Sequence, residues 1–294
     1  MGKHSAIEWT DHTFNPWWGC EKVSPACTYC YAETWARRLG QDLWGTHKDR
    51  RFFSENHWRE PLRWQKEAER NGQRRRVFCA SMADVFEPRA DLDAARTRLW
   101  TLIEATPLLD WLLLTKRPNH VLSAVSWRDA WPSNVWVGTT AEDQLRYDQR
   151  ISHLARIPAR ILFLSCEPLL GPIKLDRNFR VDWVIVGGES GAKARPMKPA
   201  WARTLREQCE ADDIPFFFKQ WGEWVPTEES QLSDDEQQVD LIRVGKKVAG
   251  RIFEGKTWDG LPLKSQIGVD SSADVRPARP DRCGTAEEPY ASHI

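Results

Sequence analysis

Short apolar runs rich in β-branched and aromatic residues recur along the chain, with polar stretches of helix length between them. The runs cover 77–80, 111–115, 135–139, 160–165, 183–186 and 215–218, and an earlier strand is expected over 13–17. The intervening stretches predict helices over 31–38, 57–71, 92–106, 119–131, 142–156 and 199–212. Pro118 and Pro199 stand at helix starts, where the missing N–H costs nothing. Strand alternating with helix implies a parallel sheet with right-handed crossovers. The expected fold class is therefore α/β: a complete or partial (β/α) barrel of parallel strands, with a small hairpin extension at its C-terminal side.

Residues just past the strand ends add chemistry. Beyond the successive runs come Gly19-Cys20, then Ser81-Met82-Ala83-Asp84, Lys116-Arg117, Thr140-Ala141-Glu142-Asp143, Cys166-Glu167-Pro168, Gly187-Gly188-Glu189-Ser190 and Lys219-Gln220-Trp221-Gly222. In a parallel barrel these ends converge on one face, where active sites of such barrels lie. Loops after strands are generally polar, which accounts for part of the pattern. It does not easily account for Asp84, Glu142, Glu167 and Glu189 at four ends with Lys116 and Lys219 at two others. The two lysines are expected to face inward and to suit a phosphate or carboxylate of a substrate. Cys166, at a strand end, is a candidate hydrogen donor or fourth metal ligand.

Organisation changes after about residue 224. The segment 1–224 reads as the barrel and 225–268 as an acidic loop and hairpin packed on it. Residues 227–240 carry six acids and no base, as a solvated loop would. Residues 241–253, with Val244-Gly245-Lys246, read as a hairpin on a Gly turn. The tail 269–294 is poor in large apolar residues and is expected to be disordered, with Cys283 outside any site.

Lys plus Arg equals Asp plus Glu, so the formal net charge is zero and any nucleic-acid site must be a local patch. The N-terminus lacks an apolar signal region, and no run approaches the ~20 apolar residues of a membrane span. The expected location is cytoplasmic, with no membrane partner. Seven cysteines in a reducing compartment point to metal, catalysis or burial rather than to disulfides. Tryptophan is abundant, 17 against 4 tyrosines, and the Trp17-Trp18 pair beside Cys20 is the best candidate for stacking on a base.

Three cysteines are close together: Cys20, then six residues, Cys27, two residues and Cys30. The pair separated by two residues places two sulfurs on one tight turn, and the longer loop brings the third round. Two arrangements fit. One is an iron–sulfur cluster with three Cys ligands, leaving one iron open. The other is a zinc site completed by a distant Cys or by a His such as His12, although no second C-x2-C and no H-x3–5-H is present after it. The helix that starts after Cys30 would point backbone N–H groups and a favourable dipole toward a negative cluster.

The run Asn15-Pro16-Trp17-Trp18-Gly19-Cys20, with Cys27 and Cys30-Tyr31-Ala32 after it, resembles the radical S-adenosylmethionine (SAM) enzymes of the spore photoproduct lyase type. The first gap of six residues departs from the usual three of that superfamily. Over residues 5–262 the chain also resembles a family of phage and bacterial genomes, the three-Cys-motif or phage-type proteins. The resemblance implies a [4Fe–4S] cluster with one iron on each of Cys20, Cys27 and Cys30, and SAM chelated by the fourth iron. It implies that Tyr29 lies near the adenine and that Ser81 and Asp84 hold the SAM amino group. Thr139, Thr140 and Glu142 would contact ribose, Glu167 ribose or substrate, and Gly187, Gly188 and Glu189 adenosine or substrate. It further implies a one-electron donor such as flavodoxin or ferredoxin, and a nucleic-acid base or nucleotide as substrate. The competing reading is a non-catalytic module, stabilised by zinc or an iron–sulfur group, that acts with a partner protein.

Overall fold

The computed structural model describes residues 5, 7–127, 130–227 and 240–262. Its strands are β1 (His12–Thr13), β2 (Trp17–Trp18), β3 (Arg51–Phe52), β4 (Arg75–Cys79), β5 (Leu109–Thr115), β6 (Val135–Thr140), β7 (Ile161–Cys166), β8 (Trp183–Gly187), β9 (Phe216–Gln220), β10 (Trp224–Pro226) and β11 (Leu241–Arg243). Its helices are α1 (Tyr31–Arg38), α2 (Glu55–Trp58), α3 (Glu60–Asn71), α4 (Asp93–Glu104), α5 (Val121–Ala124), α6 (Gln144–Leu154), α7 (Pro199–Ala211) and α8 (Lys246–Ala249). Seven strands form one sheet in the order β1-β4-β5-β6-β7-β8-β9, and every pairing is parallel. β1 and β9 are its edges, so the fold is a half-barrel.

Alternation along the strands sorts side chains to two cores, as a period of two requires. Phe78, Leu112, Trp136, Phe163, Trp183, Ile185 and Phe217 gather with Trp9 on the concave side. Val77, Leu113, Val137, Leu164, Val184 and Phe218 pack on the other side with helix residues such as Trp64, Leu99, Ile151 and Leu205. Bulk inside the barrel is matched across strands: at Gly138 a Cβ would lie 2.3 Å from the Phe163 ring. The chain returns to this interior late, where Gly260 O accepts from Trp183 Nε1 at 2.8 Å and Leu261 packs on the aromatic cluster. The concave side is therefore filled by aromatic residues, and its polar groups lie at the C-terminal strand ends.

Three expected elements differ. The strand over 13–17 is split: β1 pairs with β4, while β2 turns away to pair antiparallel with β3. Pro16 lies between them and has no N–H to continue a ladder. The helix expected over 119–131 shrinks to the 3-10 turn Pro118–His120 and α5. Val125 is already extended, and Trp127 leaves the helical path to donate to Glu104 Oε1 at 2.7 Å and stack edge-on with Trp100 and Trp131. The C-terminal hairpin is β10 against β11, not a turn on Gly245; that glycine has φ +85° and leads into α8. The acidic stretch 228–239 and the tail with Cys283 lie outside the described residues.

Candidate functional site

The segment that opens the cysteine motif is fixed to the end of β4. Asn15 Nδ2 donates to Ser81 Oγ at 3.0 Å, and its Oδ1 accepts from Met82 N at 2.7 Å. Gly19 N donates to Met82 O at 3.0 Å. Gly19 has φ +112°, and a Cβ there would lie 2.6 Å from Leu43 O and 2.7 Å from Arg50 Cδ, so only glycine fits. Arg50 is itself held in place by a fully buried ion pair with Glu87 (2.5 Å) and donates to Leu43 O and Gly45 O. Cys20 and Cys30 rest against one small apolar cluster of Trp18, Ala32, Ala36, Leu43, Trp44 and Met82. Cys27 closes the 3-10 turn Pro25–Cys27, with Ser24 Oγ 3.9 Å from its sulfur, and Cys30 caps the start of α1. All three are free thiols and half-buried.

Three strand ends hold the loop between Cys20 and Cys27. After β5, Arg117 Nη2 donates to Glu21 O at 3.1 Å, while its Nη1 donates to Asp84 Oδ2 at 2.9 Å and approaches Cys20 Sγ at 3.9 Å. After β6, Glu142 Oε1 accepts from Ala26 N at 3.2 Å and its Oε2 from Arg150 Nη1 at 2.7 Å. After β8, Glu189 pairs with Arg195 at 2.6 Å, and Arg195 Nη2 donates to Pro25 O at 3.0 Å. The Arg195 guanidinium also lies over the half-exposed Tyr29 ring, 5.2 Å from its centroid.

Several of the expected site residues are engaged by the protein itself. Asp84, Glu142 and Glu189 have their carboxylates engaged by protein donors and act as anchors of the cysteine loop. Thr139 points to the helix side and donates to Thr115 O at 2.9 Å. Gly188 is needed for packing, because a Cβ would lie 1.8 Å from Trp221 O. Cys166 joins Leu162 and Leu164 in the helix-side core, where burial pushes its thiol well up and Cys209 of α7 adds to the shift. Trp17 and Trp18 are buried and offer no face to a base. His12 stacks on Trp64 at 4.4 Å, at the start of β1 and away from the cysteines.

A second group of polar side chains occupies the concave mouth. Lys219 Nζ stands 3.3 Å from both oxygens of Glu167, and Glu167 Oε2 also accepts from Ser165 Oγ at 3.2 Å. Gly187 leaves room for that carboxylate, since a Cβ would lie 2.9 Å from Glu167 Oε1. Tyr31 donates its hydroxyl to Ser81 O at 2.7 Å. Among the described residues, buried Thr140 Oγ1 finds no hydrogen-bond partner, and Glu167 Oε1 meets the Lys219 ammonium at 3.3 Å. The field of Lys116 reaches both Cys30 and Glu142. The contacts of Tyr31, Arg195 and Arg117 were not legible in the sequence: Tyr31 reaches Ser81 O across 50 residues, Arg117 reaches Asp84 across 33, and Arg195, besides its near neighbour Glu189, reaches Pro25 O across 170.

Burial pushes the Cys20 thiol up to about 12, with Asp84 adding and Arg117 opposing. Cys30 is also raised, again first by burial. Thiols in such surroundings stay protonated until a metal displaces the proton. Among the described residues, no three His, Cys, Asp or Glu side chains meet closely enough for one ion. A cubane binds each thiolate through a different iron, so its ligands stand farther apart than those of a single zinc. Three free thiols in one loop, two of them against the same apolar cluster, are the donor set such a group would use.

A family model described as a protein of unknown function, DUF5131, matches residues 4–262. The chain belongs to the DUF5131 family. Two solved structures are similar to it, both substituted forms of spore photoproduct lyase. One, with bound AdoMet and dinucleoside spore photoproduct, has 15% identity and a TM-score of 0.43, over 76% of this chain and 59% of that one. The other has 15% identity and a TM-score of 0.42, over 78% and 61%. This chain thus spans about three-fifths of the length of those lyases. No curated protein matches it. No helix among the described residues is long and apolar enough to cross a membrane.

Proposed function

We propose that this protein is a radical SAM enzyme in which Cys20, Cys27 and Cys30 hold a [4Fe–4S] cluster at the mouth of the half-barrel. The observation that carries the reading is the fastening of the cysteine loop to three strand ends, with the Glu167–Lys219 pair at the same mouth. When bound, the cluster and SAM together supply a 5′-deoxyadenosyl radical for hydrogen abstraction. The chain's own residues do the rest. Asn15, Arg117, Glu142 and Arg195 keep the loop in register with the sheet. Thr140, Ser81 and the backbone at Gly187 offer polar contacts to SAM, and Tyr29 offers a ring face. Glu167 and Lys219 form an ion pair that orients a polar group of SAM or substrate. The aromatic floor of Trp9, Trp183 and Phe217 excludes water from below.

Lys116 and Lys219 at the mouth favour an anionic substrate, and a nucleic-acid base or nucleotide is the class proposed. The electron comes from a low-potential donor of the flavodoxin or ferredoxin kind. The test is anaerobic reconstitution with iron and sulfide, then dithionite and SAM. About four irons per chain and release of 5′-deoxyadenosine are expected, with both lost in Cys27→Ala. Uptake of one zinc without iron, or a reconstituted cluster that never cleaves SAM with nucleic acids or nucleotides present, overturns the proposal.

A further inference from the structure

We infer that Arg117 tunes the reduction potential of the iron–sulfur group held by Cys20, Cys27 and Cys30, with Asp84 as its counterweight. The inference rests on the reading of those cysteines as cluster ligands.

Arg117 is held from three sides. Its Nη1 approaches Cys20 Sγ at 3.9 Å and donates to Asp84 Oδ2 at 2.9 Å, and its Nη2 donates to Glu21 O at 3.1 Å. Both charged side chains are only 8% exposed. Asp84 is fixed in turn by Thr115 Oγ1 at 2.8 Å, Lys116 N at 3.1 Å and Phe86 N at 3.0 Å. Neither partner can swing into solvent, so the guanidinium is a permanent charge beside one sulfur. Lys116 differs: its field reaches Cys30, but among the described residues no hydrogen bond ties its ammonium to a sulfur.

The relevant couple is a one-electron reduction, with the electron supplied by an external low-potential donor and no bond changed at Arg117. The reduced form carries one more negative charge and its sulfurs accept hydrogen bonds more strongly. A buried cation donating to a ligand sulfur therefore favours the reduced form and raises the potential. Low exposure keeps water from screening the effect. Asp84 pulls the other way, and so does Glu87, whose charge also reaches Cys20 but which is paired with Arg50. Arg117 alone of these donates to the sulfur, so removing its charge and removing that of Asp84 should move the potential in opposite directions. A purely structural role has no reason to give opposite signs.

The test uses the full chain, reconstituted anaerobically, as wild type, Arg117→Gln, Arg117→Lys and Asp84→Asn. Iron and sulfide are counted for each, and a mediated redox titration monitored by absorbance and by electron paramagnetic resonance gives the midpoint. Arg117→Gln is expected to lower the midpoint enough to cut the reduced fraction at fixed potential about tenfold, ~59 mV. Asp84→Asn should raise it, and Arg117→Lys should fall between Gln and wild type. If Arg117→Gln fails to keep a cluster, the other two variants decide. Equal midpoints in variants with normal cluster content, or shifts of one sign for both residues, overturn this inference and leave the cluster reading standing. A wild-type chain that takes up no iron overturns both.

Discussion

Glu142, buried at the end of β6, accepts the Ala26 N–H at 3.2 Å from a loop 116 residues earlier. Its other oxygen is bound by Arg150, so one carboxylate joins the cysteine loop, the sheet and α6. Truncation would free the loop and leave a guanidinium buried without its partner. Glu142→Ala is therefore expected to cost about 3–5 kcal/mol, the usual penalty for breaking a buried pair from one side. Glu142→Gln keeps an acceptor and should cost less. Chemical denaturation measures the stability, and iron per chain after reconstitution should fall in the same order.

The same carboxylate gives a pH signature. Burial acts to raise its pKa, and Arg150, Ser24, Lys116 and the Ala26 N–H outweigh that and hold it below the ordinary value. A folded-state pKa below the unfolded one means the carboxylate stabilises fully above its unfolded value, about 4.3, and less as pH falls through the lowered folded value. The denaturation midpoint of the wild type should drop from about pH 5 to about pH 3 more steeply than that of Glu142→Gln. Parallel curves for the two proteins would remove Glu142 from the set of groups that set acid stability.

Two adjacent glycines should behave differently. At Gly188 an added Cβ meets the Trp221 carbonyl at 1.8 Å, a backbone atom that cannot step aside. Gly188→Ala should cost at least about 3 kcal/mol, at the upper end of overpacking penalties, or leave the chain insoluble. At Gly187 the added Cβ meets Glu167 Oε1 at 2.9 Å, the end of a side chain that can rotate. Gly187→Ala should fold with a smaller loss and disturb the Glu167–Lys219 pair instead. Comparing expression and melting of the two variants checks this ordering.

Much of this arrangement was legible in the chain, and the reason is local. β5 to β9 announce themselves because each is an apolar run ending in a polar pair, and the parallel order of the sheet is the consequence of that pattern. The three cysteines are visible as a spacing. The role of each strand-end acid is not visible, because the side of the sheet it faces depends on parity and on partners far away. Cys166 and Glu167 are neighbours in sequence, yet one enters the helix-side core and the other the mouth. Asp84, Glu142 and Glu189 read as ligand contacts when only their positions are known. Their arginines, at 117, 150 and 195, turn them into anchors for a loop whose extra length the spacing showed and whose fastening it did not.

The Glu167–Lys219 pair separates stability from activity. Both groups sit at the mouth, partly open to it, and Lys219 also lies 6.0 Å from the centroid of the Trp9 ring on the barrel floor. Lys219→Met keeps the stem packed on that floor and removes the charge, while Glu167→Gln removes the acceptor charge and keeps the shape. Neither residue touches the cysteine loop, so iron and sulfide content should match the wild type. If the pair orients SAM or substrate, each variant loses a charge-assisted hydrogen bond to that ligand, about 1.5–3 kcal/mol, or roughly 10- to 100-fold in the rate of 5′-deoxyadenosine release. The rate is measured with saturating dithionite and a nucleotide or nucleic acid present, alongside the cluster count. Wild-type turnover in both variants would mean that the pair only braces the mouth, and that the polar ligand is held elsewhere along the strand ends.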